Sequence, residues 1–231
     1  MGVEAPKDDT VGKLVVFLAK RDGIDKLVKT MQYVSKLVHW YTHTSSPGLA
    51  QRAKGLEVTC SLSRKTFRTG RFLTGFNALR RNQATSPFLR SLSLLANGGE
   101  MVYFFFDHML LFAKAGALGR RFIAPSGYVS AFGEAFGYVF FIILDLIAIR
   151  EGILAEREIK LVECDEIEKE ERLKKIRGDR IVRLMAISAN VADFVIAMAD
   201  IEPNPFCNHT VTLGISGLVS AWSGWYRNWP S

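Results

Sequence analysis

Two long apolar segments limit most strongly what this chain can fold into. Residues 131–149 contain only two charged side chains, Glu134 and Asp145, and residues 206–226 contain none. Each segment has about the 20 residues that a helix needs to cross a bilayer. Four aromatic residues of the kind found at membrane interfaces gather at the end of the second segment: Trp222, Trp225, Tyr226 and Trp229. We therefore predict membrane spans at 131–149 and 206–226, and the second has the stronger signal.

Both segments also carry small residues at the spacing that lets membrane helices approach one another closely. Gly133 and Gly137 form a GxxxG pair, and Gly214, Gly217 and Ala221 give overlapping small-xxx-small faces. We predict that these five residues are helix-packing positions.

The rest of the chain has helical periodicity, and no β-strand pattern of comparable strength appears. Within residues 11–43, apolar side chains such as Ile24 and Met31 recur on one side of a helix, while Asp25 and Lys29 fall on the other. We expect the apolar side to pack inside a helical bundle. The predicted fold is therefore an all-α integral membrane protein, with amphipathic helices in its N-terminal part and hydrophobic helices in its C-terminal part.

Changes in composition divide the chain into four regions. Residues 150–183 balance ten acidic against ten basic side chains, which indicates a solvated helix or helical hairpin. We predict a cytosolic amphipathic region at 1–91, hydrophobic membrane-associated helices at 92–149, the mixed-charge segment at 150–183, and C-terminal hydrophobic helices at 184–231.

One basic stretch accounts for the net charge of +7. Residues 51–90 carry nine basic and one acidic side chain, and the segment 63–81, SRKTFRTGRFLTGFNALRR, has no acid. Projected as a helix, 63–81 places an apolar arc between arginines, so an anionic partner is expected to bind here. Gly70 and Gly75 weaken the helix in water, and a bound surface would stabilise it.

The pattern predicts a basic amphipathic helix that lies on an anionic membrane. Basic side chains would contact lipid phosphates, and apolar ones would insert between the headgroups. The predicted membrane-binding residues are Arg64, Lys65, Arg68, Arg71, Phe72, Leu73, Phe76, Leu79, Arg80 and Arg81.

No constellation of residues indicates an enzyme, a cofactor or a metal site. Gly70 and Gly75 have the spacing of a phosphate loop, but Phe76 stands where that motif needs Lys. His39 and His43 lack the Glu of a metalloprotease helix. The three cysteines are far apart and form no CxxC pair. We predict no enzymatic activity, no cofactor and no metal.

Three functions fit these features to different degrees. A membrane-remodelling protein would use 63–81 as a wedge in one leaflet. A channel or transporter would use the acidic side chains inside the apolar segments: Glu100, Asp107, Glu134, Asp145 and Asp193. Nucleic-acid binding is disfavoured, because the uncharged run 206–226 would need burial and no reading motif accompanies the arginines.

Several long blocks resemble one family. They include KLVVFLAKRDGIDKLVKTMQYVSKL, LSRKTFRTGRFLTGFNALRR, GEMVYFFFDHMLLF, SAFGEAFGYVFFIILD, RLMAISANVAD and NPFCNHTVTLGISGLVSAWSGWYRNWPS. The chain resembles the peroxin-eleven family of peroxisomal membrane proteins, and its plant members most closely.

The resemblance implies a protein of the peroxisomal membrane with both termini toward the cytosol. It implies membrane elongation before organelle division, self-association, and cooperation with the dynamin-related fission machinery and its tail-anchored adaptor. The family's membrane-curving helix matches Ser63 to Arg81, and the family also implies a pore as a secondary function. Spans at 131–149 and 206–226 leave both termini on one side, whereas a further span at 101–118 would separate them.

Overall fold

The computed structural model describes residues 9–81, 86–161 and 166–230. Within these ranges the chain is helical and contains no strand, so the predicted all-α fold is confirmed. The helices are α1 (Thr10–Ala19), α2 (Arg21–Thr42), α3 (Pro47–Phe67), α4 (Phe72–Arg80), α5 (Pro87–Lys114), α6 (Ile123–Leu161), α7 (Glu166–Ile201) and α8 (Thr210–Asn228), with one 3₁₀ turn at Arg120–Phe122.

Local sequence explains where several helices begin and end. The Asp9 carboxylate accepts hydrogen bonds from the first turn of α1. Pro47 and Pro87 stand at the first positions of α3 and α5, where the missing N–H removes no helical hydrogen bond. Gly70 has a φ of +79°, which separates α3 from α4. The prediction of one helix across 63–81 was therefore wrong, because four residues of turn divide it.

Neighbouring helices pack antiparallel. Between α2 and α3, Nζ of Lys36 lies 2.6 Å from the Glu57 carboxylate, whereas Arg64 near the end of α3 bonds to Asp25 near the start of α2. Glycines of α8 contact α2: an added Cβ at Gly214 would meet the side chain of Leu37, and one at Gly217 would meet Tyr33. The small-residue face of α8 therefore packs on α2 within one chain.

The crossing of α5 and α6 is built from three glycines. An added Cβ at Gly99 would lie 2.7 Å from the backbone N of Gly137 and 2.8 Å from the backbone O of Gly133. Such distances leave no room for a side chain, so the two helix backbones are in direct contact.

α6 and α7 form a long antiparallel hairpin. Nη1 of Arg183 lies 3.0 Å from Oδ1 of Asp145, and farther along Nη2 of Arg177 lies 3.2 Å from Oε1 of Glu156. The predicted mixed-charge region 150–183 forms the end of this hairpin, although its residues 162–165 lie outside the described ranges. Its predicted limits fall inside helices, because α6 and α7 each continue from an apolar into a charged portion.

Helix contacts arrange six helices in a ring in the order α2, α3, α5, α6, α7, α8. We call the end of the bundle beside Leu161 and Glu166 the hairpin end; α1, α4 and the C-terminal part of α8 also lie toward it. At this end the ring of Phe17 in α1 stacks on Trp225 of α8, with 4.5 Å between centroids. The opposite end carries the connections at 43–46, 115–122 and 202–209.

In the part of the chain that the structure describes, two helical segments have the length and composition to cross a membrane: Arg120–Leu161, which includes α6, and α7. Only 17% and 22% of the residues in their most apolar portions are buried, so most residues of these portions are at least partly exposed. The first contains the span predicted at 131–149. The span predicted at 206–226 overlaps α8, which begins at Thr210 and is not one of these two segments, so this span stays a prediction.

Gly98 and Gly99 are neighbours in α5 with opposite surroundings, because Gly98 has open space where a Cβ would be. We expect Gly99→Ala to lower the free energy of unfolding in detergent by roughly 1–3 kcal/mol through overpacking. Gly98→Ala should be neutral, or stabilising by up to about 1 kcal/mol, since Ala favours the helix. Thermal unfolding of the two variants measures the difference, and equal effects would contradict the close α5–α6 contact.

Candidate functional site

A buried charged cluster joins α2, α7 and α8. Nζ of Lys29 lies 2.5 Å from Oδ1 of Asp193 and donates to Oγ of Ser220, also at 2.5 Å. The Ser220 hydroxyl in turn donates to Oδ2 of Asp193 at 2.6 Å. Lys29 is 2% exposed and Ser220 is fully buried. Each polar group therefore has a partner, as a charge removed from water requires.

A second cluster joins α2 to α3 around Asp25, which is 1% exposed. Nε of Arg64 donates to Oδ1 of Asp25 at 3.2 Å, and Nη1 of Arg64 donates to Oε1 of Gln32 at 2.9 Å. Nε of Arg68 lies 3.7 Å from the same carboxylate.

Asp107 of α5 continues this network and is 2% exposed. Lys65 donates to its carboxylate, and Nη1 of Arg68 lies 3.8 Å from its Oδ2 atom. Arg68 also donates to the hydroxyl of Tyr103. α3 is therefore tied by ion pairs to both α2 and α5.

These contacts pair four of the predicted membrane-binding residues with acidic side chains of other helices. Arg64, Lys65 and Arg68 pair with buried carboxylates, and Arg71 pairs with Asp22 of α2. We expected all four to contact lipid phosphates, with the three arginines at the border of the apolar arc. The structure corrects this placement, because their acidic partners lie on other helices that the projection of 63–81 does not include.

The other predicted membrane-binding residues lie on or beside α4. Leu73 and Phe76 are 57% and 55% exposed, and Arg80 and Arg81 are exposed as well. The remaining two, Phe72 and Leu79, are half-buried. The inner side of α4 is held against α5, where an added Cβ at Gly75 would meet the side chain of Met101 at 2.7 Å. α4 is therefore a short helix with an apolar outer face and a basic C-terminal end.

The polar face of α2 also differs from its predicted position. Asp25, Lys29 and Gln32 are buried, whereas Met31 and Val34 of the apolar face are more than two-fifths exposed. We expected the apolar face to pack in the bundle. Helical periodicity identified the two faces of α2 correctly, but it does not contain information on which of them turns inward.

Two cavities of about 380 and 500 Å³ lie within the ring of helices. They adjoin, because both are lined by the same five polar residues: Lys29, Arg68, Tyr103, Glu134 and Asp193. Of the acidic residues predicted to line a polar pathway, Glu100 also lines the first cavity and Asp107 the second. Asp145 lines a third cavity, which shares Glu100 and Tyr138 with the first and extends along the α6–α7 hairpin.

His39 and His43, which are four residues apart in sequence, form hydrogen bonds with different backbone carbonyl groups. Nδ1 of His39 lies 3.0 Å from the carbonyl O of Ala50, and Nδ1 of His43 lies 2.7 Å from that of Trp40. Across the described ranges, no three His, Cys, Asp or Glu side chains are close enough to hold a metal ion.

Comparison with known proteins gives one consistent result. The sequence pattern that defines Peroxisomal biogenesis factor 11 (PEX11) matches residues 11–229. Peroxisomal membrane protein 11-4 of Oryza sativa subsp. indica is 64% identical over 223 residues, which cover 96% of this chain and 98% of that protein. Peroxisomal membrane protein 11B of Arabidopsis thaliana is 60% identical over 226 residues, which cover 96% and 99%.

More distant similarity extends beyond plants. Peroxisomal membrane protein 11 homolog of Dictyostelium discoideum is 28% identical over 240 residues, which cover 94% of this chain and 93% of that protein. No solved structure shows significant similarity to the chain. The predicted resemblance is confirmed by the match over nearly the whole length, and the chain therefore belongs to the Peroxisomal biogenesis factor 11 family.

Proposed function

We propose that this chain is a peroxisomal membrane protein that curves and elongates the membrane ahead of fission, with α4 as the element that enters one leaflet. The observation that carries the proposal is the outer face of α4. Leu73 and Phe76 are more than half exposed, and Arg80 and Arg81 follow at the end of the helix. This combination is typical of helices that lie in the plane of a membrane interface.

The wedge that we propose is narrower than the one predicted from sequence and is more firmly attached. Leu73 and Phe76 would enter the headgroup region to a depth of about 5–10 Å. Arg80 and Arg81 would contact anionic headgroups, and each contributes about 1 kcal/mol near such a surface. Arg71, at the start of α4, is paired with Asp22 of α2, so the wedge is anchored to the bundle.

One-sided insertion is what produces curvature, and the arrangement of the chain supports it. α1 and α4 lie toward the same end of the bundle as the C-terminal aromatic residues. The stacking of Phe17 on Trp225 supports placing α1 and the C-terminal end of α8 on the same side of the membrane. We propose that this side is cytosolic, that copies of the chain self-associate there, and that the dynamin-related fission machinery and its tail-anchored adaptor act on the elongated membrane.

Replacing both exposed apolar residues of α4 tests the wedge. We expect the double variant Leu73→Ser, Phe76→Ser, reconstituted in liposomes that contain anionic lipid, to form fewer and shorter tubules than the unmodified chain, because less apolar volume enters one leaflet. Electron microscopy of the liposomes measures tubule length. Leu154→Ser is the matched control, since Leu154 is 46% exposed in the charged hairpin. Equal tubulation by the double variant and the control would reject α4 as the wedge.

Two arginines of the basic stretch should behave differently. Arg68→Gln removes one of the basic partners of Asp25 and of Asp107, which keep Arg64 and Lys65, so we expect it to lower the free energy of unfolding in detergent by about 1–3 kcal/mol. Arg81→Gln should leave stability unchanged and weaken vesicle binding by about 1 kcal/mol. Thermal unfolding and flotation with anionic vesicles measure the two effects. A stable Arg68→Gln chain that has lost vesicle binding would restore the wedge predicted from sequence.

The adjoining cavities favour a small-solute channel as a second candidate function. Their lining mixes buried cations and anions inside a ring of helices, and polar side chains of this kind mark solute pathways in membrane proteins. Glu134 and Asp193 belong to α6 and α7, the two helices with the length and composition to cross a membrane.

A flux measurement tests this second function. If the cavities form a pathway, Glu134→Gln should change the flux of small charged solutes from loaded liposomes, because it removes a charge shared by both cavities. Glu168→Gln, in the exposed end of the charged hairpin, is the control. Absence of flux through the unmodified chain, or equal flux through both variants, would exclude a pathway along these cavities.

A further inference from the structure

The outer surfaces of α2 and α3 carry an unusual distribution of side chains. Over residues 23–42, all of which the structure describes, no Asp, Glu, Lys or Arg is exposed. The exposed residues of this segment are Met31, Val34, Trp40 and Tyr41. Over residues 55–67 of α3 the exposed residues are Gly55, Leu56, Val58, Thr59, Leu62 and Thr66, again without a charge.

The charged side chains of these two segments face the interior. Asp25, Lys29, Glu57 and Arg64 are each less than a tenth exposed, and all are paired. A helix that borders water has the opposite arrangement, with charges outside and apolar residues inside. Burying an ion removes it from water at a cost of several kcal/mol, so this arrangement is unfavourable unless the outside is even less polar.

We propose that α2 and α3 are embedded in the bilayer, where their outer faces contact lipid acyl chains. The 20 residues from 23 to 42 span about 30 Å as a helix, which is the thickness of the hydrocarbon core. The surface is also continuous with α6 and α7, which have the length and composition to cross a membrane. On one side α2 packs on α8 and α8 on α7, and on the other α3 contacts α5 and α5 packs on α6.

The charged hairpin shows that the apolar exterior is not a general property of this chain. Many charged side chains are exposed along residues 166–183, including Glu168, Glu171, Arg172 and Asp179. The boundary between the two surfaces therefore marks the edge of the membrane. Residues 23–42 and 55–67 lie on the lipid side of this boundary, whereas the sequence predicts that the whole region 1–91 is cytosolic.

The mean hydropathy of these helices is low because it averages the charged residues of the inner side with the apolar residues of the outer side. α2 alone contains three lysines and an aspartate between residues 25 and 36.

Acyl chains are the occupant that fits this surface. A second copy of the chain would cover only one side of the ring, whereas exposed apolar residues continue around it on α5 and α8: Val102, Phe105, Ile215 and Val219. The embedding does not require the α4 wedge.

Fluorescence quenching tests the embedding on the full chain in liposomes. In a background of Cys60→Ser, Cys164→Ser and Cys207→Ser, bimane is attached to Val34→Cys or Val58→Cys. We expect its emission to fall with phosphatidylcholine that carries a doxyl group on the acyl chain, and to be unaffected by aqueous iodide. Bimane on Glu171→Cys should show the reverse.

Bimane on Ser35→Cys provides the matched control for protein contact, because Ser35 is next to Val34 and is 6% exposed. Quenching by iodide at positions 34 and 58 would overturn the proposal, because it would show that these positions face water. Quenching by neither agent, as we expect at Ser35, would overturn it in favour of a second protein surface. Circular dichroism establishes that each variant is folded, and the Val34 and Val58 probes, which lie on different helices, give two independent readings. Tubulation by the Leu73→Ser, Phe76→Ser variant is measured separately, so failure of the wedge and failure of the embedding are distinguishable.

Discussion

The inward pairing of charges is the interaction on which the rest of this structure depends. Lys29 cannot be buried without an acidic partner, and Asp193 supplies it from a helix 164 residues farther along the chain. Ser220 bonds to both and so fixes α8 beside them. Asp25 and Asp107 hold α3 in the same way, through Arg64, Lys65 and Arg68. These pairs determine which helices are neighbours and in which register they pack.

Small residues make this pairing possible. Gly217 and Gly224 lie on the same face of α8 as Ser220, and each would collide with a side chain of α2 if it carried a Cβ. The close approach of α8 to α2 brings the Ser220 hydroxyl within reach of Lys29. Once the charges are satisfied inside, the outer faces of the ring are left to apolar residues, and α1 and α4 remain near the hairpin end with apolar faces of their own. The proposed functions follow from this division: a wedge and a lipid-facing exterior outside, a polar interior between the helices.

The sequence allowed some of these features to be predicted and hid others. Periodicity and composition indicate helices throughout, and the GxxxG spacing predicts that Gly133 and Gly137 are packing residues, although it does not show that Gly99 is their partner. The sequence shows that the basic stretch 63–81 is unusual, but its two halves have different surroundings in the structure. The basic residues of its first half pair with acids up to 49 residues away in sequence, as Arg71 does with Asp22, and the exposed apolar side chains Leu73 and Phe76 belong to its second half. No projection of one helix can show a partner that another helix carries.

The sequence by itself determined the family, the helical class and the two-sided character of each amphipathic helix, because these depend on residue identity and on spacing along one element. Tertiary structure decided which side turns inward. For α2 the answer was the polar side, since buried acids and bases from distant helices satisfy one another there and the apolar side is free to face outward. That choice rests on long-range pairing between side chains and on the solvent around the bundle, and spacing along a single helix encodes neither.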